Sequence, residues 1–333
     1  MEFQDLILNH CQTMFQTSLP KGSSWVKRFG DSIILPVFLL LLAGCSFGAT
    51  SKIVIPMKNE SRPLIIAHRG ARSLAPENTL AAARKALGLG ADMWELDVAV
   101  TSDNELVVVH DDTLDRTCNV KDLFPGRFPW QIWDFTLAEI KTLDCGSWFN
   151  STDPFDQIKV GAVSQDEMES YVGESMPTLR EALEFTHDNS WRVNVELKEQ
   201  PSEPLGRALV KKTVKLIEEF GMDKGAQVVV SSFNHAYLKT VRSLNPDIPI
   251  QALTDKKIDS LPEYLADLGT DACNPKVNVW NPEELADLGR GGIQFNVWTV
   301  NEETVMRQLI EANVHGIFTD FPQLLERVLN NNQ

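Results

Sequence analysis

From Leu64 onward the chain alternates short apolar runs with amphipathic stretches, the pattern of parallel strands joined by crossover helices. The apolar runs predict strands over 64–68, 93–98, 191–197, 227–232, 248–253, 270–274, 293–299 and 315–319. Apolar positions at helical spacing predict helices over roughly 78–89, 178–188, 204–220, 235–244, 260–268, 282–288 and 301–312, with a last one over 321–330. Eight strands alternating with eight helices predict an α/β fold of the TIM (β/α)8 barrel type. The rival, an open doubly wound sheet, calls for a Gly-rich phosphate loop after a strand, and no predicted strand is followed by one. Residues 111–176 break the alternation. They are too many for a βα loop, so an insertion subdomain after the second strand is expected over the barrel mouth.

That insertion is rich in rings: Phe124, Phe128, Trp130, Trp133, Phe135, Trp148 and Phe149. They form either a wall for a substrate's leaving group or the insertion's own small core, and the core is favoured because aromatics dominate such cores. Lys121, Arg127, Lys141 and Lys159 are expected to be solvated surface, although each is a cation that could reach a phosphate.

The N-terminal segment follows a different pattern. Lys21, Lys27 and Arg28 precede the apolar run Ile33–Leu42, and Ala43-Gly44-Cys45 follow. A basic flank, a short apolar run and small residues are the signature of an export signal, and the run is shorter than the roughly 20 residues a membrane span needs. Leu42-Ala43-Gly44-Cys45 resembles the bacterial lipoprotein box. The expected organisation is therefore a lipoprotein-like export signal over 1–44 cleaved before Cys45, a polar linker over 45–62, and one catalytic domain over 63–333. An uncleaved anchor helix is the alternative. The lipoprotein reading places the protein outside the cytoplasm, periplasmic or at the cell surface, tethered to a membrane at Cys45.

Composition narrows the partners. With 43% hydrophobic and 23% charged residues the chain is ordinary for a globular protein, and its net charge is −15. An acidic surface argues against a nucleic-acid partner, and an anionic substrate would need a metal or a few placed cations. Export permits a disulfide. Cys118 and Cys145 lie in one irregular segment and are the pair the sequence offers, with free thiols as the alternative, whereas Cys273 is expected to be buried packing.

The chemistry stands at strand ends, where barrel enzymes keep it. Glu95 and Asp97 are two apart in a strand and point to one face, and two adjacent carboxylates cannot both stay ionised without a counter-cation. Oxygen ligands suit a hard divalent cation, Mg²⁺ or Ca²⁺; pairing with Lys or Arg is the bland alternative. The run Val193–Lys198 adds a second inward polar face of Asn194, Glu196 and Lys198. Glu196 completes a three-carboxylate set, and Lys198 either holds an anionic oxygen or neutralises Glu196. His68 ends the first strand and His110 follows the apolar run Val107–Val109, with Asp111 beside it. Two such histidines fit a general base and a general acid. Arg69 can fork two hydrogen bonds onto a phosphate. Asn78 or Thr79 reads as a helix cap, and Glu77 as structural rather than a metal ligand.

His-Arg-Gly (68–70), Pro-Glu-Asn-Thr (76–79), Glu-Leu-Asp-Val (95–98), Val-His-Asp (109–111), Asn-Val-Glu-Leu-Lys (194–198), Ser-Ser-Phe (231–233), Trp-Thr-Val-Asn (298–301) and Thr-Asp-Phe-Pro (319–322) occur in an order that resembles the glycerophosphodiester phosphodiesterases. The resemblance runs from about Leu64 to Leu329. It implies a TIM barrel with an insertion, a divalent cation on Glu95, Asp97 and Glu196, and His68 and His110 as the acid/base pair. His68 is then the base and His110 the acid, or the reverse. It implies hydrolysis of a glycerophosphodiester to sn-glycerol 3-phosphate and an alcohol, with attack by the glycerol 2-hydroxyl and a cyclic phosphate. Ser232, Phe233, Trp298 and Asp320 fall where the family lines or braces its pocket; Trp298 stacks on the glycerol or merely packs, and Asp320 is read as a cap on the last helix. A lysophospholipase D and a catalytically silent, lipid-anchored binding protein are the other readings. The five intact site residues argue against the silent one.

Overall fold

The structure, a computed structural model, describes residues 62–331. The expected export signal, Cys45 and all of the linker but Arg62 lie outside the described residues. Among the described residues there are nine strands: β1 (Leu64–Ala67), β2 (Met93–Val100), β3 (Leu106–Val108), β4 (Val193–Leu197), β5 (Val228–Ser232), β6 (Ile250–Thr254), β7 (Ala272–Pro275), β8 (Gln294–Val297) and β9 (Gly316–Thr319). All but β3 are parallel, and β1 pairs with both β2 and β9, so eight strands close into a barrel with helices outside. This is the predicted TIM barrel, each strand within about two residues of the expected span. The Val107–Val109 run joins the sheet differently from the rest: β3 lies antiparallel on β2, outside the barrel ring.

The barrel forms because its strands bury both faces. Outward residues such as Leu96, Val98, Val193, Val195, Val228 and Val230 pack under the helices in the main core. Inward residues are unlike them. Ile66, Met93, Val229 and Phe318 make a small apolar plug. Beside it Asn194, Ser231, Gln251, Asn274 and Asn296 form a buried polar belt, in which Asn194 and Asn274 both donate to Gln251 Oε1 (3.0 and 2.8 Å). Ser231 donates to Asn194 Oδ1 and Asn296 to Asn274 Oδ1, so these groups satisfy one another in place of water.

The segment between β3 and the helix Leu179–Asp188 is the predicted insertion, and it holds four short α-helices (Val120–Leu123, Leu137–Ile140, Ser147–Thr152 and Gln165–Tyr171) and one 3-10 turn (Ile132–Asp134). Its rings are mainly core. Phe135 and Phe149 are fully buried and Phe124, Trp130 and Trp148 pack on those clusters, whereas half-buried Trp133 belongs to neither and Phe128 is 77% exposed. Cys118 and Cys145 are disulfide-bonded across 27 residues, a closure that costs the unfolded chain entropy worth about 3.5 kcal/mol. Cys273 is buried in β7, and burial pushes its thiol up to about 12.

Candidate active site

Strand register builds the site. Asp97 on β2 is the Cα partner of Glu196 on β4, and Glu95 stands one inward position below Asp97, partnered by Asn194. One carboxylate oxygen from each of Glu95, Asp97 and Glu196 lies within 4.8 Å of the others. Burial first, then the charges of Asp97 and Glu196, push the Glu95 carboxyl well above the usual range. Burial would raise Asp97 too, but Arg69 and Lys198 hold it down at about 2. Glu95 Oε2 accepts the Arg69 backbone N–H at 2.8 Å, whereas Glu95 Oε1 is buried with no hydrogen-bond partner. A buried orphan acceptor among three carboxylates fits a hard divalent cation, which binds through such oxygens.

The turn after β1 presents Arg69. Arg69 and Gly70 both have positive φ (54° and 79°). A Cβ at Gly70 would come within 2.6 Å of Ala82 Cβ and 2.7 Å of the Ala82 backbone, so only glycine lets this turn close against the helix Leu80–Gly88. Arg69 Nη1 donates to Glu77 (2.9 Å) and its Nε lies 3.4 Å from Asp97 Oδ2. Lys198 Nζ donates to Glu196 (3.1 Å) and lies 3.7 Å from Asp97, so it does neutralise the carboxylates while still facing the cleft.

The same register logic places the histidines. Ala67 is paired with Thr319, so the next residues, His68 and Asp320, stand side by side: His68 Nδ1 lies 2.7 Å from Asp320 Oδ1. Burial opposes ionisation of Asp320 but His68 and Arg72 outweigh it, so the carboxylate is held below its ordinary range. An ionised carboxylate only accepts, so His68 Nδ1–H donates and Nε2 is left as an acceptor. Burial lowers the His68 pKa below 6.5 against the opposing hydrogen bond of Asp320. The backbone N–H of Val109 donates to the Asp97 carbonyl (2.9 Å), which carries His110 to the carboxylates from the β3 side. His110 Nδ1 lies 2.7 Å from Asp111 Oδ1, and Asp111 is likewise held down, burial being outweighed by hydrogen bonds from His110 and Arg116.

A cleft of about 470 Å³ opens over these groups. It is lined by His68, Arg69, Glu95, His110, Glu196 and Lys198, and on its other side by Ser231, Phe233, Leu253 and Trp298. Phe233 and Trp298 meet edge-to-face at 5.4 Å, and Trp298 Nε1 donates to the Asn274 carbonyl, which fixes the ring as a wall. Of the residues the sequence assigned to acid/base work, substrate or cation, His68, His110, Arg69, Lys198, Phe233, Trp298, Glu95 and Glu196 line this cleft, and Asp97 belongs to the carboxylate cluster at its base.

Two expectations are corrected, and one open choice is resolved. Asp320 does not cap the last helix, whose N-cap is Phe321 without a side-chain bond; its oxygens take His68 and Asn301 instead. Of the two residues offered as the cap of the helix Leu80–Gly88, Thr79 is the one used, while Asn78 has φ 58° and its Nδ2 donates to Asp97 Oδ2 at 2.9 Å. Ser232 turns away to the Leu197 carbonyl, and Ser231 lines the cleft in its place. Lys121, Arg127, Lys141 and Lys159 each pair with an acid of their own, Asp115, Glu139, Glu181 and Asp156, away from the cleft. Arg72 and Arg116 carried no signal in the sequence pattern, and Asn301 appeared there only as the end of the Trp-Thr-Val-Asn motif; Arg72 and Asn301 reach Asp320, and Arg116 reaches Asp111.

The chain is similar to proteins of one known family. The family model described as the glycerophosphoryl diester phosphodiesterase family matches residues 68–324. A glycerophosphodiester phosphodiesterase of Caldanaerobacter subterraneus subsp. tengcongensis is 36% identical over 79% of this chain and 96% of its own length. One of Bacillus subtilis is 32% identical over 89% of this chain and 97% of its own. Among solved structures, an Oleispira antarctica phosphodiesterase in complex with the product sn-glycerol 3-phosphate superposes with a TM-score of 0.68 at 27% identity, covering 81% of this chain and 97% of that one. This barrel, with its carboxylates and paired histidines at the strand ends, belongs to the glycerophosphoryl diester phosphodiesterase family.

Proposed function

We propose that this chain hydrolyses glycerophosphodiesters to sn-glycerol 3-phosphate and an alcohol with the help of a divalent cation, Mg²⁺ or Ca²⁺. The observation that carries the reading is a buried three-carboxylate cluster with an orphan Glu95 oxygen, set between two histidines that are each anchored through Nδ1. Bound by Glu95, Asp97 and Glu196, the cation would supply positive charge to a phosphoryl oxygen. Arg69 and Lys198 add fixed positive charge beside the cleft, where a low-dielectric wall strengthens it. Phe233 and Trp298 offer an apolar face to the glycerol carbons.

His68 acts as the base, because burial favours its neutral imidazole and Nε2 is left to accept. It takes the proton of the glycerol 2-hydroxyl as that oxygen attacks phosphorus. His110, charged and donating from Nε2, protonates the departing alcohol as its bond to phosphorus breaks. Water then opens the cyclic phosphate with the two roles exchanged, giving glycerol 3-phosphate and restoring both histidines.

The test is glycerol 3-phosphate release from glycerophosphocholine, with lysophosphatidylcholine as the competing substrate and Mg²⁺ compared with Ca²⁺. Turnover of glycerophosphocholine that disappears on exhaustive chelation and returns with the cation is expected. Activity surviving chelation removes the metal, and cleavage of the lysolipid alone makes the enzyme a lysophospholipase D.

The proposal extends to location. The pattern of residues 1–45 supports export and a lipid tether at Cys45, with 45–62 as spacer between membrane and the domain over 63–333. Metabolic labelling with a fatty-acid analogue should mark the chain and be lost in Cys45→Ala; an equally labelled variant overturns the anchor.

A further inference from the structure

Glu77 lies off the cleft, with a side chain only 3% exposed, and three arginines converge on it. Its Oε1 accepts from Arg69 Nη1 (2.9 Å) and Arg116 Nη2 (2.7 Å), and its Oε2 from Arg72 Nη2 (2.7 Å). One carboxylate cannot balance three guanidiniums, so each arginine turns to a second acid. Those second acids are not random surface groups. Arg72 reaches Asp320 (3.5 Å), which holds His68. Arg116 Nε donates to Asp111, which holds His110. Arg69 lies against Asp97 and gives its backbone N–H to Glu95. From Glu77, therefore, an arginine and an aspartate lead to each histidine, and one arginine leads to the carboxylate cluster.

Two ordinary duties of such a residue are already filled. The helix that follows is capped by Thr79, not by Glu77. The cation cluster is composed of Glu95, Asp97 and Glu196 without it. What remains is the junction itself. Guanidinium–carboxylate forks are planar and directional, and in a buried network each bond fixes the next. Removing the acid at a junction releases all the arms that meet there, whereas removing one arm releases one.

We propose that Glu77 is a positioning residue that sets both acid/base histidines at once, through Arg72–Asp320 to His68 and through Arg116–Asp111 to His110. This rests on the roles assigned to the histidines above. It touches no substrate itself. The Glu of the Pro-Glu-Asn-Thr segment thus ties the β1 turn, the β9 end and the insertion into one frame.

The deciding experiment reads the two rings directly, by long-range ¹H–¹⁵N correlation of histidine side chains in the full-length chain. His68→Ala and His110→Ala assign the signals. The wild-type rings are both expected to carry a proton on Nδ1, held by Asp320 and Asp111. In Glu77→Gln both should move together, and kcat should fall about 100-fold with KM changed by less than about threefold, the split expected when alignment is lost and binding is kept. Glu77→Asp keeps the charge but draws the carboxylate back by one methylene, so it should shift both rings less and recover part of kcat. A Glu77→Gln protein in which either ring is unmoved overturns the proposal; if that variant does not fold, Glu77→Asp is judged by the same criterion. Because the spectra do not depend on turnover, a wild-type protein that fails to cleave glycerophosphodiesters refutes the proposed function and leaves the coupling to be decided by the rings.

Discussion

The two histidines are anchored by the same bond built in opposite ways. His68 finds its aspartate 252 positions away, across the seam where β1 meets β9, and both side chains are largely buried (14% and 7% exposed). His110 finds its aspartate next door in sequence, at the edge of the insertion, and both are about one-third exposed (34% and 28%). Both bonds are 2.7 Å. One is held by the barrel and the other by a loop, and the roles proposed above rest on this difference. A buried imidazole is disfavoured as a cation and suits a base, while a ring nearer solvent can take up and deliver a proton.

The largest effects should come from removing the rings. His68→Ala and His110→Ala should each lower glycerol 3-phosphate release roughly 10³-fold with circular dichroism unchanged. The comparison sharpens with a substrate whose leaving group is p-nitrophenol, which departs without a proton. His110→Ala should then recover most of its p-nitrophenol release, the first step alone, and His68→Ala none; the opposite rescue exchanges base and acid.

Smaller effects should come from the anchors. Asp320→Asn should cost about 100-fold in kcat and Asp111→Asn closer to tenfold, since the exposed ring has water as a substitute partner. The two variants should also separate by pH. His68 must be neutral to accept a proton and burial sets its pKa below 6.5, so kcat/KM should hold as pH falls past 6.5 and drop only lower down. The Asp320 hydrogen bond raises that pKa, so Asp320→Asn should move the acid limb lower still, and Asp111→Asn should leave it in place. The same shift has a stability sign: a histidine depressed in the fold stabilises above the unfolded value and loses that contribution as pH falls through the folded one. An acid limb that moves in Asp111→Asn and stays in Asp320→Asn would reverse the comparison.

Much of the architecture was legible because parallel barrel strands, buried on both faces, are nearly continuous apolar runs. Against that background His68, Glu95, Asp97 and Glu196 stood out as polar residues at positions where burial is costly, and the same reasoning found Lys198. Asp320 did not stand out. An acid just before Pro322 looks the same whether it caps a helix or braces a ring, and only closure of β1 on β9 distinguishes the two. Arg116 lay in a segment without periodicity, so nothing local separated it from Lys121 or Arg127, which pair with acids elsewhere.

The sequence by itself determined the strand and helix alternation, the inward acids and the two histidines, because periodicity and the cost of burying charge are local. The tertiary structure alone decided which groups meet: the His68–Asp320 bond, the orphan oxygen of Glu95 and the junction at Glu77. Those depend on strand register and on chain segments up to 252 residues apart, and no local preference encodes such a distance.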